Sequence, residues 1–508
     1  MNKTTLNNRS MTIWKISISI VLFFTAGLFI DHEPFKTMTY GSALALLSYD
    51  VIISLIKTMT KSPKTGMKLV NDGLLSIISA AGLLMIDKAS GAVGVMLFFR
   101  ILKLLQEKTG EKCRKPFSAL AKLSSDHANV RRGNEFVSVP PESVSIGEVI
   151  VVKSGERVPL DGIIENGSGF MDTRAFTNES TPREVCPGSE VLSGSINSGS
   201  PVYIRVTRTY ENSTARHITK LTEEIPFSVS KTESRLKGFS KIYVPAAAAA
   251  AASMLIIPVF AKYLNYSKCI YYALIFLAVI SPCRLIETVS NGFCAAAGRF
   301  TKDGILISAA EYIEAIAKTK TAVFGRAALM TDKEYPDSIV AVSGFAARGI
   351  KTVLITEDNE SEAKKTAEHL GIDETHCIQN DKHKEYTLFS IKKKQGGRSC
   401  IYIGGSDEAG LFETVDAGIA LGEYNTAEAL ENADAVLMTN EPSKLLKAYD
   451  ISKKAYRIIA LNIALAFAAK LAVLASAVFT GIEIWPSVIL DSGITILIMG
   501  NTLRILKK

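Results

Sequence analysis

The fold is decided by one stretch of the chain, which begins with YYALIFLAVISPCRLIE at Tyr271–Glu287 and ends with TAVFGRAALMT at Thr321–Thr331. The first piece is an apolar helix that is interrupted at Ser281-Pro282-Cys283. A proline inside a membrane helix removes a backbone hydrogen bond and exposes carbonyl oxygens, and a cysteine beside it offers a soft metal ligand. The second piece has the composition of a strand. The order predicts a membrane ion site followed closely by a soluble strand.

The rest of the 508-residue chain holds two kinds of segment. Apolar residues make up 47% and charged residues 21%, but long runs almost free of charge alternate with segments of ordinary soluble composition. Runs of about 20 apolar residues are long enough to cross a bilayer. The second of these runs is interrupted by Tyr49-Asp50. The eight predicted spans are residues 13–30, 42–56, 69–86, 89–105, 243–260, 270–297, 461–479 and 484–506.

The distribution of charge indicates how the spans are oriented. The net charge is +8, and Lys57, Lys61, Lys64 and Lys68 follow the second span. Basic residues mark cytoplasmic loops, so we expect a multi-pass protein of the cell membrane with both termini in the cytoplasm, in contact with lipid and not with nucleic acid. The seven cysteines contain no CxxC pair, which argues against a disulfide framework and a zinc ribbon.

Two soluble segments separate the spans. Residues 106–235 contain short β-branched runs between glycines, among them Val149–Val152 and Val202–Val206, and predict a small β-rich domain. Residues 300–452 alternate strands with helical stretches, which predicts a parallel sheet. The strands predicted there are 321–324, 351–355, 400–403, 418–421 and 435–438.

Together with the interrupted helix, the motif SGERVPLDG at Ser154–Gly162 carries a resemblance to a known family. From about Tyr40 to Leu506 the chain resembles a heavy-metal-transporting P-type ATPase of the zinc/cadmium type. The resemblance implies a multi-domain membrane protein: an eight-helix transmembrane bundle, a β-rich actuator-like domain and an α/β haloacid-dehalogenase-like phosphorylation-type domain. The implied boundaries are 1–105 (helices 1–4), 106–235 (actuator-like), 236–299 (helices 5–6 with the Ser-Pro-Cys break), 300–452 (phosphorylation-type, without a nucleotide-binding insertion) and 453–508 (helices 7–8).

The chain departs from this family where the phosphorylation chemistry lies. The family phosphorylates the aspartate of Asp-Lys-Thr-Gly-Thr, and here that position is Gly325, followed by Arg326. Acyl-phosphate formation needs a carboxylate nucleophile, which glycine cannot supply. The family's nucleotide-binding domain is also absent, because residues 331–336 join the strand directly to the rest of the sheet. We therefore expect no ATP and no Mg²⁺ as cofactors.

Four residues match the remnants of a phosphate and magnesium site. Thr356 and Asp358 fall on the family's Thr-Gly-Asp-Asn motif, and Lys382 on its phosphate-contacting lysine. Glu408 falls on the second aspartate of the magnesium motif, whose first aspartate is replaced by Gly404. The resemblance implies a vestigial site, and the alternative is that these residues are retained only for packing.

A glutamate of the actuator-like segment is the other catalytic candidate. Thr177-Asn178-Glu179-Ser180 stands where the family has Thr-Gly-Glu-Ser. The resemblance implies that Glu179 positions water for dephosphorylation. The alternative is a solvated glutamate in a surface turn.

The membrane half keeps ionisable residues at a depth where they are costly and usually functional. The resemblance implies that Lys470 and Asp491 belong to a metal site with Cys283, Ser281 and Glu287. The alternative for Lys470 and Asp491 is an ion pair that holds two helices together.

The residue after the cysteine complicates this site. The positive charge of Arg284 repels a metal cation. Glu287 either neutralises Arg284 or serves as an oxygen ligand to the metal. The site therefore either binds a metal or is closed by the ion pair of Arg284 and Glu287. We expect Cys283, Glu287, Lys470 and Asp491 to lie together, with Lys470 donating to carbonyls that the break exposes and with weak metal affinity.

Two classes of function follow. The first is a catalytically inactive pseudo-ATPase with a binding, sensing or partner role, which the missing nucleophile, magnesium ligand and nucleotide domain favour. The second is a metal cation exporter of the zinc, cadmium, cobalt or iron class. A decaying gene product is a third interpretation. The expected partners are the lipid bilayer, a divalent transition metal and a full-length homologue or another membrane protein.

Overall fold

The computed structural model describes most of the chain. It covers residues 3–30, 32–61, 72–120, 123–133, 135–174, 181–225, 228–260, 266–279, 283–329, 336–394, 399–405, 408–421, 430–439, 441–479 and 484–507. Two compact units are formed. The membrane unit comprises residues 1–111, 232–289 and 459–504, and the α/β unit comprises residues 112–231, 290–458 and 505–508.

The helices of the described residues account for both units. They are α1 Lys3–Leu28, α2 Glu33–Lys61, α3 Asp72–Met85, α4 Ala89–Arg114, α5 Phe117–Leu120, α6 Thr214–Glu224, α7 Lys231–Phe260, α8 Tyr266–Val279, α9 Cys283–Phe300, α10 Ala310–Ala317, α11 Arg326–Leu329, α12 Pro336–Ala347, α13 Glu360–Leu370, α14 Asp381–Lys394, α15 Ala409–Thr414, α16 Lys444–Phe479 and α17 Ile484–Leu503.

The strands all lie in the α/β unit. They are β1 Ala128–Arg132, β2 Glu135–Val139, β3 Val149–Val152, β4 Gly162–Asn166, β5 Gly169–Asp172, β6 Arg183–Val185, β7 Glu190–Val191, β8 Ile196–Asn197, β9 Val202–Val206, β10 Ile305–Ile307, β11 Thr319–Gly325, β12 Lys351–Thr356, β13 Glu374–Cys377, β14 Ser399–Gly404, β15 Ala417–Leu421 and β16 Ala435–Leu437.

Six helical segments of the described residues are long and apolar enough to cross a membrane. They correspond to the predicted spans 1, 2, 4, 6, 7 and 8. The predicted third span coincides with a shorter apolar helix, Gly73–Met85, and the fifth lies within α7, which is not among the six. The chain is therefore a multi-pass membrane protein, and the count of eight spans stays a prediction.

The second span differs from the sequence prediction, because α2 is not interrupted at Tyr49-Asp50. It runs unbroken to Lys61. The carboxylate of Asp50 is neutralised by Lys15 at 2.7 Å and by Arg100 at 2.5 Å, so the charge does not have to be expelled from the bundle. Two partners from neighbouring helices thus let a charged residue lie inside an apolar helix.

The actuator-like part is built on two antiparallel sheets. A six-stranded sheet has the order β2-β1-β3-β9-β4-β7, and a three-stranded sheet has the order β6-β5-β8. The predicted strands Val149–Val152 and Val202–Val206 are found as β3 and β9. Alternate residues of β9 are buried, as period-two patterning requires, and they pack in a valine- and isoleucine-rich core.

Asp161 explains why the SGERVPLDG motif folds as it does. It is 4% exposed and accepts hydrogen bonds from Ser193 N at 2.5 Å, from Thr214 N at 2.8 Å and from the Thr214 hydroxyl at 3.0 Å. The bond from Thr214 N satisfies a free amide at the start of α6, and the bond from Ser193 N holds the loop after β7. The motif therefore ties the sheet to the helix that packs on it.

The second soluble part is a seven-stranded sheet of order β10-β16-β15-β14-β11-β12-β13. All pairs are parallel except β10 with β16. All five strands predicted from sequence for this segment are present, and the parallel sheet is confirmed. Phe324 and Tyr402 are fully buried on the central strands, and burial of such side chains contributes about 1.5–3 kcal/mol each.

The side chain of His217 makes the stability of the α/β unit dependent on pH. Its Nε2 is buried and has no hydrogen-bond partner among the described residues. Burial lowers its pKa below the ordinary 6.5 and outweighs the attraction of Glu431 and Asp161. The unfolded chain therefore binds the proton of this histidine more tightly than the folded chain does. The free energy of unfolding keeps its full value above pH 6.5 and falls as the pH drops below 6.5.

The test is the unfolding midpoint at about pH 7.5 and about pH 5.5, on either side of the ordinary histidine pKa. We expect the loss on acidification to shrink in His217→Gln and to persist in His127→Gln, whose parent side chain is exposed. An equal loss in wild type and His217→Gln would contradict this assignment.

Candidate functional site

The membrane unit contains a small cavity of about 30 Å³. The charged side chains among its described lining are Arg284 from α9, Lys470 from α16 and Asp491 from α17. The hydroxyls of Thr288 and Thr495 also line it. The lysine and the aspartate that sequence analysis singled out are therefore brought together, although they are separated by 21 residues.

Asp491 is the centre of the charge arrangement. Its Oδ1 accepts a hydrogen bond from Lys470 Nζ at 3.3 Å, and its Oδ2 lies 4.0 Å from Arg284 Nη1. All three side chains are largely buried, with 12% exposure for Lys470 and 13% for Asp491. Two cations thus face one carboxylate in this cavity.

Lys470 also contacts the interrupted helix. Its Nζ donates to the carbonyl oxygen of Val279, the last residue of α8, at 2.5 Å. The predicted break at Ser281-Pro282 lies outside the described residues, between the end of α8 and the start of α9. The hydrogen bond from Lys470 to the carbonyl oxygen of Val279 agrees with the predicted donation, and the break itself stays a prediction.

Arg284 is held from the side of α4. Gln106 Nε2 donates to the carbonyl oxygen of Arg284 at 3.3 Å, and the guanidinium lies 5.4 Å from the ring centroid of Phe99. Sequence analysis did not identify Gln106 or Phe99. The sequence feature that could have identified Gln106 is a polar residue in the C-terminal half of an apolar helix.

The remaining residues predicted for the metal site fall in different places. Glu287 is exposed and is not part of the described cavity lining. The physical reason is helical geometry: Arg284, Leu285 and Thr288 define the face of α9 that lines the cavity, and Glu287 lies outside that arc. Ser281 and the side chain of Cys283 lie outside the described residues.

A metal ion would find few ligands among the described side chains of this cavity. No group of three or more His, Cys, Asp or Glu residues that could hold a metal is present in the part of the chain that the structure describes. Asp491 is the carboxylate at the cavity, and Thr288, Thr495 and the Val279 carbonyl are neutral oxygen donors. The two neighbouring cations, Arg284 and Lys470, repel any further positive charge that enters the cavity.

A polar network ties α16 to α17 on the same side of the bundle. Asn462 is 1% exposed, donates to the Thr502 hydroxyl at 3.1 Å and accepts from Asn501 Nδ2 at 2.8 Å. Satisfied polar networks of this kind fix the register of buried helices. The network therefore orients the helices that carry Lys470 and Asp491.

The second candidate site lies at the carboxyl ends of the parallel strands in the α/β unit. Gly325 is the last residue of β11 and is paired with Ile355 of β12, while Phe324 is paired with Ile403 of β14. Thr356 and Gly404 end the two neighbouring strands. The glycine at the phosphorylation position is thus at the centre of the sheet edge where α/β proteins place ligands.

The space in front of Gly325 is occupied by two side chains of the protein itself. A Cβ atom built on Gly325 would lie 2.5 Å from Tyr402 Oη and 2.9 Å from Glu408 Oε2. Tyr402 donates its hydroxyl proton to Glu408 at 3.0 Å, and the amide of Gly405 donates to Glu408 at 2.8 Å. Glu408 is therefore held in the site by its own hydrogen bonds, and sequence analysis missed Tyr402.

Thr356 and Asp358 are found together beside this pair. The Thr356 hydroxyl donates to Asp358 Oδ2 at 2.8 Å, and Asp358 forms an ion pair with Arg326. Arg326 stands where the family has a lysine. Its positive charge is paired with the neighbouring carboxylate of Asp358. The guanidinium is half exposed, so the pair contributes little to stability.

Lys382, the lysine predicted for the phosphate site, lies on α14 two residues before a buried lysine, and its role stays a prediction. Lys382 is exposed, whereas Lys384 is 7% exposed and contacts Glu357 at 2.6 Å and Asp381 at 3.0 Å. Burial acts to lower the pKa of Lys384, but the hydrogen bonds to Glu357 and Asp381 outweigh it, so the pKa lies above its ordinary value. Lys384 is therefore a fixed cation beside the strand ends. Glu179 lies outside the described residues.

Comparisons with known proteins cover almost all of the chain. A family model of the P-type ATPase actuator domain matches residues 122–223. The chain is 25% identical over 617 aligned positions to the cadmium, zinc and cobalt-transporting ATPase of Bacillus subtilis, covering 98% of this chain and 87% of the relative. It is 24% identical to the zinc-transporting ATPase of Synechocystis, covering 96% and 84%.

A solved structure shares the fold. The crystal structure of a zinc-transporting PIB-type ATPase in the E2·Pi state superposes with a TM-score of 0.55 at 21% identity, covering 98% of this chain and 100% of that chain. At this level of identity, the likeness concerns the fold alone.

Proposed function

Because the chain belongs to the heavy-metal P-type ATPase family of zinc, cadmium and cobalt transporters, we propose that its membrane unit handles a divalent transition-metal cation, as a metal cation transporter. The observation that carries the proposal is Asp491, a buried carboxylate that lines a cavity between α8, α9, α16 and α17. Ionisable residues inside membrane helices are retained at a cost and usually mark an ion pathway. The positive-inside distribution of lysines supports cytoplasmic termini.

The same geometry supports weak metal affinity. Lys470 and Arg284 both face Asp491, so a divalent cation has to displace positive charge before the carboxylate can coordinate it. The thiol of Cys283 is the soft ligand that the sequence offers in addition. We therefore expect a metal to be bound transiently and not as a resident cofactor.

A second candidate function is a pseudo-ATPase that keeps the scaffold for binding, sensing or pairing with a full-length homologue. Gly325 supplies no nucleophile, and Tyr402 and Glu408 fill the space in front of it. The alignment with the Bacillus subtilis relative runs over 617 positions while this chain has 508 residues, so more than a hundred positions of that relative have no counterpart here. This supports the loss of the nucleotide-binding domain.

Zinc flux into proteoliposomes separates the two functions. The purified full-length chain is reconstituted with a zinc-sensitive dye inside, with and without Mg-ATP, and compared with Asp491→Asn. Flux that is lost in Asp491→Asn supports transport, and stimulation by ATP would assign a complete exporter. Absence of flux under both conditions would overturn transport and leave the scaffold function.

Mg-ATP is expected to leave the melting temperature of the protein unchanged. A ligand that binds only the native state raises stability in proportion to RT ln(1 + [L]/Kd), so a site of even millimolar affinity would be detected at high nucleotide. Melting is followed with Mg-ATP, and with sulfate at matched ionic strength as the control. A rise in melting temperature with Mg-ATP but not with sulfate would contradict this prediction and reveal a nucleotide-binding site in this chain.

A further inference from the structure

A second polar cavity of the membrane unit lies far from Asp491 along the chain. It has a volume of about 310 Å³ and lies where α1, α2 and α4 meet. Its lining includes Lys15, Asp50, Arg100, Lys103 and Glu107. None of these residues matches a motif of the family resemblance, and none is used by the proposed metal site.

The lining of this cavity carries more positive than negative charge. Lys15 and Arg100 share the single carboxylate of Asp50, at 2.7 Å and 2.5 Å. Lys103 and Glu107 are both exposed in the C-terminal half of α4, and their charges offset each other. One positive charge is left over, and it lies on side chains that are 20% exposed for Lys15 and 6% exposed for Arg100. A positive charge with so little access to water favours an anion beside it.

Arg100 is held rigidly in place. Its Nε donates to the carbonyl oxygen of Leu47 at 3.0 Å, while its Nη2 holds Asp50. Lys15 is steadied by the ring of Tyr49, whose centroid lies 5.0 Å from Nζ. The two cations are therefore preorganised, and an anion that binds between them does not have to order long flexible side chains.

Two exposed aromatic residues indicate the depth of the cavity in the bilayer. Trp14, next to Lys15, is 67% exposed, and Tyr49, next to Asp50, is 59% exposed. Because Lys15 contacts Asp50, these two aromatic side chains lie at one level. Tryptophan and tyrosine on the surface of a membrane bundle concentrate at the level of the lipid headgroups. Asp50 is also only two helical turns before Lys57, in the flank predicted to be cytoplasmic.

Apolar side chains continue from this level along the outside of α1. Ile18, Val21 and Phe24 follow Trp14 and are 44%, 61% and 57% exposed. They form a surface on which acyl chains can lie while the headgroup occupies the cavity. The cytoplasmic leaflet is also the one that carries anionic lipids.

We propose that this cavity binds the phosphate of an anionic phospholipid headgroup, with Lys15 and Arg100 as the contacting cations. A phosphodiester carries one negative charge, which matches the one positive charge left by Lys15, Arg100 and Asp50. Binding here ties α1, α2 and α4 together at the cytoplasmic face. It does not require a metal at Asp491.

The test is binding of phosphatidylglycerol and phosphatidylcholine to the full-length chain in detergent, followed by native mass spectrometry. Wild type is expected to bind phosphatidylglycerol more tightly. Lys15→Gln should weaken that binding about tenfold, the scale of one lost charged contact, and leave phosphatidylcholine unaffected. Lys108→Gln removes an exposed lysine of α4 that does not line the cavity, and this variant is expected to bind phosphatidylglycerol as wild type does.

A second variant distinguishes binding from a structural role. Asp50→Asn removes the competing carboxylate, so it should strengthen binding of phosphatidylglycerol even though it weakens the contacts between the helices. Loss of lipid binding in both Lys15→Gln and Asp50→Asn, or equal binding of the two lipids by wild type, would overturn the proposal. Inorganic phosphate that competes as well as the lipid would also overturn it, by assigning the cavity to a soluble anion.

Discussion

Gly325→Asp is expected to give no phosphoenzyme and to destabilise the α/β unit. A Cβ at this position would lie 2.5 Å from Tyr402 Oη and 2.9 Å from Glu408 Oε2, and the added carboxylate would face the carboxylate of Glu408. Overpacking of a buried site costs about 1–3 kcal/mol, and like charges held together add to it. Acid trapping after incubation with radiolabelled ATP, and denaturant unfolding, measure the two effects.

Matched variants separate crowding from chemistry. Gly325→Ala adds the methyl group alone and should lose stability without the charge repulsion. Gly325→Asp combined with Tyr402→Phe and Glu408→Ala opens the space and should recover much of the stability. We still expect no phosphoenzyme, because the sequence predicts a chain without a nucleotide-binding insertion. A hydroxylamine-sensitive label on any of these variants would refute the proposal that the α/β unit is catalytically inactive.

Asp491→Ala is expected to be the most destabilising change in the membrane unit. It removes the carboxylate that both Lys470 and Arg284 face, and Lys470 is only 12% exposed. Breaking a buried ion pair by removing one partner costs about 3–5 kcal/mol, because the other charge stays buried. Unfolding of the purified protein in detergent measures the loss.

The controls follow from the geometry. Replacing Lys470 and Asp491 together, as Lys470→Met with Asp491→Leu, should cost less than Asp491→Ala alone. The buried lysine is then removed with its carboxylate, although Arg284 still loses its contact with Asp491. Glu287→Ala should change stability by no more than about 0.5 kcal/mol, since its side chain is exposed. Cys283→Ala should be nearly neutral in stability. Tight zinc binding that is lost in Cys283→Ala would contradict the weak affinity expected here.

The placement of Glu287 shows where sequence reasoning about the site stopped. Spacing of three residues from Arg284 suggested a shared helix face, but the face that lines the cavity is defined by Arg284, Leu285 and Thr288. Which arc of a helix turns inward depends on the neighbouring helices. Only packing can decide that, so Glu287 was expected inside and is found outside.

The same limit applies to the lysines of α14 and to Tyr402. Motif alignment predicts Lys382 for the phosphate site, which stays a prediction, whereas only packing shows that Lys384 is buried beside Glu357 and Asp381. Tyr402 lies inside a strand and reads as a core aromatic residue in the sequence. Its hydroxyl nevertheless reaches Glu408 in front of Gly325, because the strand ends beside the loop that carries the glutamate.

The sequence by itself determined the segments and the residue type at the position predicted for phosphorylation. Apolar runs of membrane-spanning length, period-two strands and the glycine at the phosphorylation position are local properties, since periodicity and side-chain identity do not depend on distant contacts. Tertiary structure alone decided which charges meet: Lys470 with Asp491 and Val279, Glu408 with Tyr402, and Lys15 and Arg100 with Asp50. These pairs join residues on different elements or at a strand end. In an interior of low dielectric constant, the distance between the two charges sets the interaction energy, and the sequence does not give that distance.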